Sequence, residues 1–178
     1  MRLASRKCSL LVLFALTVCF TGIASLVHAQ ISDVPTNFIE SYNSGDYTTA
    51  SGLFHYPLDS TDKEKKQEAE AVGNLLKLFR SEFGKITGYG RAKKKYRFYR
   101  AVIGTGDMSY WERYPVSNKM IYEVTFGKLG KGYIVIALVK INRKTEVRHV
   151  TFGLPMDNPD AKQTMAAITN RMSSILRR

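Results

Sequence analysis

Cysteine is almost missing from this chain. There are two, Cys8 and Cys19, and both fall within the first 20 of 178 residues. No disulfide framework and no cysteine-based zinc site can be built beyond that point. Histidine is scarce as well. After residue 30 only His55 and His149 remain, and neither has a second His at ligand spacing, so no metal centre and no cofactor are expected. No Gly-x-Ser-x-Gly elbow marks a nucleophile. No internal repeat or low-complexity linker interrupts residues 30–178. Acidic residues are the minority charge, 15 Asp and Glu against 27 Lys and Arg. With 24% charged and 11% aromatic residues spread along it, the chain is neither a disordered tail nor a fibrous polymer. Its length suits a single domain with one core.

One long apolar run is present, Cys8–Val27, behind the basic Arg2, Arg6 and Lys7. Val27-His28-Ala29 places a small residue before the bond and a β-branched one at −3. Residues 1–29 are therefore expected to be a cleavable signal peptide, with Gln30 the new N-terminus, and the protein to be exported to the periplasm or the extracellular space. The run is 20 residues and could instead stay uncleaved as an inner-membrane anchor. Thr21, Gly22 and Ser25 interrupt its end and favour cleavage, which leaves no membrane span. Three of the 27 basic residues lie in 1–29 and no acidic one does, so the remainder keeps 24 against 15. That excess favours anionic surfaces, phospholipid or glycan, and equally serves to keep a soluble protein dispersed.

Helical periodicity comes first. Phe38, Ile39 and Tyr42 form an apolar stripe behind Pro35, and Asn43-Ser44-Gly45 stops it. Asp46 caps a short helix carrying Tyr47, Ala50, Leu53 and Phe54, ended by His55-Tyr56-Pro57. Thr61 or Asp62 then caps a long helix whose buried stripe is Ala69, Val72, Leu75, Leu76, Phe79 and Phe83, stopped by Gly84. From Ile86 the period becomes two. Strands are expected near Thr87–Tyr89, Lys95–Val102, Met108–Tyr114, Lys119–Phe126, Tyr133–Ile141 and Glu146–Leu154. The fifth is apolar on both faces and should be central. A last helix, 158–177, carries Met165, Ile168, Met172, Ile175 and Leu176. The expected class is α+β, with N-terminal helices packed on a strongly curved antiparallel sheet and one additional C-terminal helix, all in a single domain over 30–178.

Three segments carry a family resemblance. They are Phe38-Ile39-Glu40, the run Asn43-Ser44-Gly45-Asp46-Tyr47-Thr48-Thr49-Ala50 followed by Leu53-Phe54, and Phe79 with Phe83-Gly84-Lys85-Ile86. With the element order, they make residues 31–154 resemble the nuclear transport factor 2-like superfamily of cone-shaped α+β domains. The resemblance implies a cone with a pocket or packed core. It does not imply an activity, because that superfamily includes isomerases, dehydratases, cyclases and non-catalytic binding modules.

Two clusters could carry chemistry. Tyr110, Glu112, Tyr122 and His149 fall on expected strands that could face the cone, with Tyr110, Glu112 and Tyr114 on one strand face and Val147, His149 and Thr151 on another. An acid or His buried among apolar groups beside a Tyr donor is what an isomerase or hydratase uses to handle an enolate. The same residues are also ordinary fillers of a small core. Residues 91–100 hold Arg91, Lys93, Lys94, Lys95, Arg97 and Arg100 interleaved with Tyr96, Phe98 and Tyr99. That pattern suits contact with an anionic lipid or glycan, and equally an exposed edge strand protected by charge. Export disfavours nucleic acid. The leading expectation is an exported, non-enzymatic binding or assembly module of the cell envelope. It would pair as a homodimer through the outer sheet face, with Trp111 and Arg113 as contacts. The alternatives are an enzyme using His149 or Glu112 as base, or an electrostatic binder working through residues 91–100.

Overall fold

The computed structural model describes residues 33–92 and 97–176. The chain divides into Met1–Asp33 and Val34–Arg178. The expected signal segment lies outside the described residues, and the architecture is that of the second unit. Helix α1 covers 33–44. Gly45 follows at φ +82°, a conformation that glycine reaches without Cβ strain. The Asp46 carboxylate accepts the Thr49 amide and caps α2 (Tyr47–Gly52). Of the two expected caps Thr61 serves: helix α3 (Asp62–Phe83) opens on a reciprocal capping box between Thr61 and Glu64. Its buried side adds Leu78 to the expected Val72, Leu75, Leu76, Phe79 and Phe83, while Ala69 is only half-buried.

Five strands form one antiparallel sheet: β1 (Ile86–Arg91), β2 (Phe98–Gly104), β3 (Asn118–Phe126), β4 (Gly130–Ile141) and β5 (Lys144–Pro155), in the order β1-β3-β4-β5-β2. The doubly apolar β4 is central, as its sequence requires. One sheet face packs on the helices. There Phe38 and Tyr42 of α1 and Phe79 and Phe83 of α3 meet Phe126 and Phe152 of the sheet. Helix α5 (Ala161–Leu176) begins three residues later than expected and buries Ala161, Met165, Ile168 and Met172. Leu176, expected on that stripe, is 61% exposed.

Three expectations are corrected. The segment Met108–Tyr114 is not a strand: Met108–Arg113 is helix α4. The Asp107 carboxylate accepts the Tyr110 amide and the Ser109 hydroxyl, each at 2.8 Å, and this cap outweighs a two-residue alternation seven residues long. The sheet therefore has five strands instead of six. Nor is it strongly curled, with β1 and β2 as its edge strands and, among the described residues, register shifts near Gly88 and at Ala137/Leu138. The second shift is a bulge on β5. Val147 and Val150 are both buried, and Arg148 and His149 between them turn away from the core. Val147 thus does not share a face with His149.

Candidate functional site

The bulge end of β5, the α2–α3 connection and α4 converge on a buried acid–base chain. Phe54 bridges Val147 in parallel, so that the His55 amide donates to the Val147 carbonyl and the Val147 amide to the Leu53 carbonyl, both at 2.8 Å. This docks His55, 3% exposed, beside the strand. Its Nδ1 lies 2.5 Å from Glu146 Oε2 and its Nε2 lies 2.6 Å from the Tyr110 hydroxyl. Lys144 holds the other Glu146 oxygen. Burial raises the Glu146 pKa, but hydrogen bonds from Lys144 and His55 more than offset it and hold the carboxyl below its ordinary range. The Glu146 carboxylate accepts a hydrogen bond from Nδ1–H, which leaves Nε2 as the acceptor for the Tyr110 O–H. Burial pushes the Tyr110 phenol up, opposed by a backbone hydrogen bond from Leu58.

A second layer locks this chain in place. Thr105 Oγ1 donates to the His55 carbonyl and Trp111 Nε1 to the Thr105 carbonyl. The Arg148 guanidinium lies 4.6 Å from the centre of the Trp111 ring, where the bulge directs it. Tyr110, Trp111 and Val139 form a small core of their own, with Tyr114 and Ile141 packed against it.

Tyr110 also borders a cavity of about 680 Å³ between α3, α4 and the 57–60 connection. Asp59, Glu64, Glu68 and Asp107 line it, together with the cation Arg113. Two of these carboxylates already work as helix caps, Glu64 for α3 and Asp107 for α4. Glu68 is different: its Oε2 is buried without a hydrogen-bond partner, and burial with the nearby Glu64 raises its pKa. Among the described residues no group of three or more His, Asp or Glu is placed to hold a metal ion, and no helix is long and apolar enough to cross a membrane.

The expected site residues are not brought together. Tyr110 is in the buried chain, but Glu112 is exposed on α4. Tyr122 packs against the main core, its hydroxyl 3.4 Å from the Met120 sulfur. His149 stands on the sheet face away from α1, α3 and α5, paired with Ala137 and Gly104. Trp111 is buried under Arg148 and offers no free interface contact, whereas Arg113 is exposed, 5.6 Å from the Tyr110 ring centre. Of the basic segment, Arg91, Arg97 and Arg100 are exposed, and Lys93, Lys94 and Lys95 lie outside the described residues. His55 and Glu146 are the two members that sequence reasoning missed. His55 reads as a helix end, and only its place between two apolar residues and a proline-bounded turn hinted at burial.

His149 supplies a pH prediction. Burial first, then Arg148, Lys119 and Arg100, push its pKa from 6.5 down to about 4. The folded state keeps the ring neutral while the unfolded chain takes up a proton below 6.5, so stability is intact above that pH and is lost as pH falls toward 4. His149→Gln should remove this loss, about 1–2 kcal/mol after allowing for the part of the ring in water. Urea titrations at pH 7 and pH 4 measure it, and an unchanged difference between the two would refute the assignment.

No family model matches the chain, and no curated protein matches it. A solved structure of a variant of Rv3472, a function unknown protein from Mycobacterium tuberculosis, is similar at 14% identity over 90% of this chain and 93% of that one, with a TM-score of 0.41.

Proposed function

We propose that this chain is an exported, non-enzymatic binding or assembly module of the cell envelope, with a nuclear transport factor 2-like α+β fold. The closure of the buried acid–base chain carries the non-enzymatic part. Both His55 nitrogens are engaged, both Glu146 oxygens are engaged, and the Tyr110 hydroxyl is directed inward at His55. A general acid or base must reach the proton it transfers, within about 3 Å of substrate. Within the His55–Glu146–Tyr110 chain every transferable proton is committed to another member, which is what a clasp between three segments requires. The basic start and cleavage pattern of residues 1–29 support export. Three helices followed by an antiparallel sheet support the fold.

The isomerase or hydratase alternative draws on Tyr110 in the cavity wall. Incubating the purified chain with a small-molecule extract of its source cells, followed by mass spectrometry, separates the two. The expected result is enrichment of one or more species that are recovered unchanged. Conversion of a species by the parent chain, abolished in Tyr110→Phe, would overturn the non-enzymatic reading.

A further inference from the structure

The sheet face away from α1, α3 and α5 gathers positive charge around one ring. The strand registers place Lys119 of β3, Ala137 of β4, His149 of β5 and Gly104 of β2 in a single row across four strands. Ala137 is fully buried outside the main core. Its methyl is too short to separate Lys119 from His149, which flank it about 10 Å apart at two strand spacings. A Cβ at Gly104 would come within 3.1 Å of the His149 Cβ, so β2 closes against the histidine on its other side. The bulge adds Arg148, held on the Trp111 ring, and β2 adds Arg100. Lys119 and Arg100 are exposed and Arg148 is half-buried. All three lie close enough to oppose a proton on His149, and no carboxylate is among the groups that act on it. Among the described residues none of the three cations forms an ion pair. The single carboxylate of β5, Glu146, is taken by His55 and Lys144. Glu123 of β3 stands four residues from Lys119, about 13 Å at strand rise.

From this arrangement we infer that Lys119, Arg148 and Arg100, with His149 at their centre, form a site for the phosphate group of a small soluble phosphomonoester. The inference rests on the binding-module reading and names its ligand class. Like charges gathered without a counter-ion repel one another, and a bound anion removes that repulsion. A phosphate fits better than a carboxylate. The cations come from three strand positions, and a tetrahedral group offers oxygens in more than one plane, whereas one forked arginine satisfies a carboxylate. A neutral imidazole also keeps one N–H to donate to the anion. The set is compact, centred on one ring and not drawn out along a strand. That suits a single phosphate group and not a polymer with a phosphate at every unit.

Proton NMR of the His149 ring, identified by its loss in His149→Gln, tests the inference with glycerol 3-phosphate as the probe. Chloride keeps the ionic strength constant, which removes general screening as a cause. The ring should titrate about one unit higher with the ester than without it, because a facing anion favours the imidazolium. Affinity is read at pH 7, where a phosphomonoester carries about −1.5 to −2 charges, and should exceed that for acetate about tenfold. Lys119→Ala and Arg100→Ala should each weaken binding about fivefold. Both side chains are exposed, so neither variant disturbs the core. Lys162→Ala removes the same charge from exposed α5 and should stay within about twofold, which separates a built site from general attraction to a basic protein. No His149 shift with the ester, equal affinity for acetate, or equal losses in Lys162→Ala and Lys119→Ala would overturn the site. Phosphatidic acid vesicles present the same group on a membrane and should leave the chain in solution. Co-sedimentation that Lys119→Ala abolishes would overturn the soluble ligand. Phosphorus NMR of the same samples keeps the two readings apart. Release of inorganic phosphate would refute the non-enzymatic reading and leave the site standing, and an intact ester without a His149 shift would do the reverse.

Discussion

His55→Ala should lower the free energy of unfolding by about 2–4 kcal/mol, because it leaves two partly or fully buried polar partners short of a hydrogen bond at about 1–3 kcal/mol each. The loss has two parts. Glu146, whose side chain is 16% exposed, keeps Lys144 but loses the Nδ1 donor, and the buried Tyr110 hydroxyl loses its acceptor. Glu146→Gln should cost less, about 1 kcal/mol, because an amide oxygen still accepts from Nδ1. The acid limb provides an independent check. Glu146 is held below its ordinary 4.5, so its contribution is complete above that pH and disappears as pH falls through the depressed value. His55→Ala removes one of the two side-chain donors that hold the carboxyl down, so the variant should lose less stability in acid than the parent. Urea unfolding at pH 7 and at pH 3 with an unchanged denaturant slope measures both effects. A loss under about 1 kcal/mol at pH 7 would show that the clasp does not hold the 53–58 connection to β5.

That clasp was invisible in the sequence for a physical reason. His55 lies 91 residues from Glu146 and 55 from Tyr110, and no local pattern encodes a meeting at that range. Short-range chemistry was legible. Gly45 with Asp46, the cap at Thr61 or Asp62, and Gly84 mark helix ends through bonds that span at most a few residues; each end is found there, and of the two candidate caps it is Thr61 that serves. The double-sided apolar run of β4 likewise located the sheet centre. Two features misled. Tyr110, Glu112 and Tyr114 alternate as a strand would, yet in the helix Tyr110, Trp111 and Tyr114 gather around His55. Past that point strand parity fails at Arg148, because one bulged residue places Val147 in the core and His149 outside it. The assumed cone site depended on both assignments, so its four residues scatter.

The main core predicts the second large effect. Phe152 is fully buried, and its ring centre lies 5.5 Å from that of Tyr42, 4.6 Å from Phe79, 5.6 Å from Phe83 and 6.2 Å from Phe126. One ring therefore joins α1, α3, β3 and β5. Phe152→Ala should cost about 3–5 kcal/mol, the transfer term plus a cavity that four large neighbours cannot fill without leaving their rotamers. Phe152→Leu, which restores most of the volume, should cost about half as much. Phe79→Ala combined with Phe152→Ala should cost less than the two singles together, because both open the same void. The pairing with His55→Ala is more telling. Val147, where the clasp attaches, lies opposite Leu138 while Phe152 lies opposite Ile134, four strand steps away or about 13 Å. The two losses should then add within about 0.5 kcal/mol. A double variant would approach the whole stability of a typical domain, so it is best measured in a stabilising osmolyte. Additivity would mean that β5 carries two mechanically separate anchors, one apolar and one hydrogen-bonded. A coupling above about 1 kcal/mol would mean that the bulge between them transmits strain from one to the other.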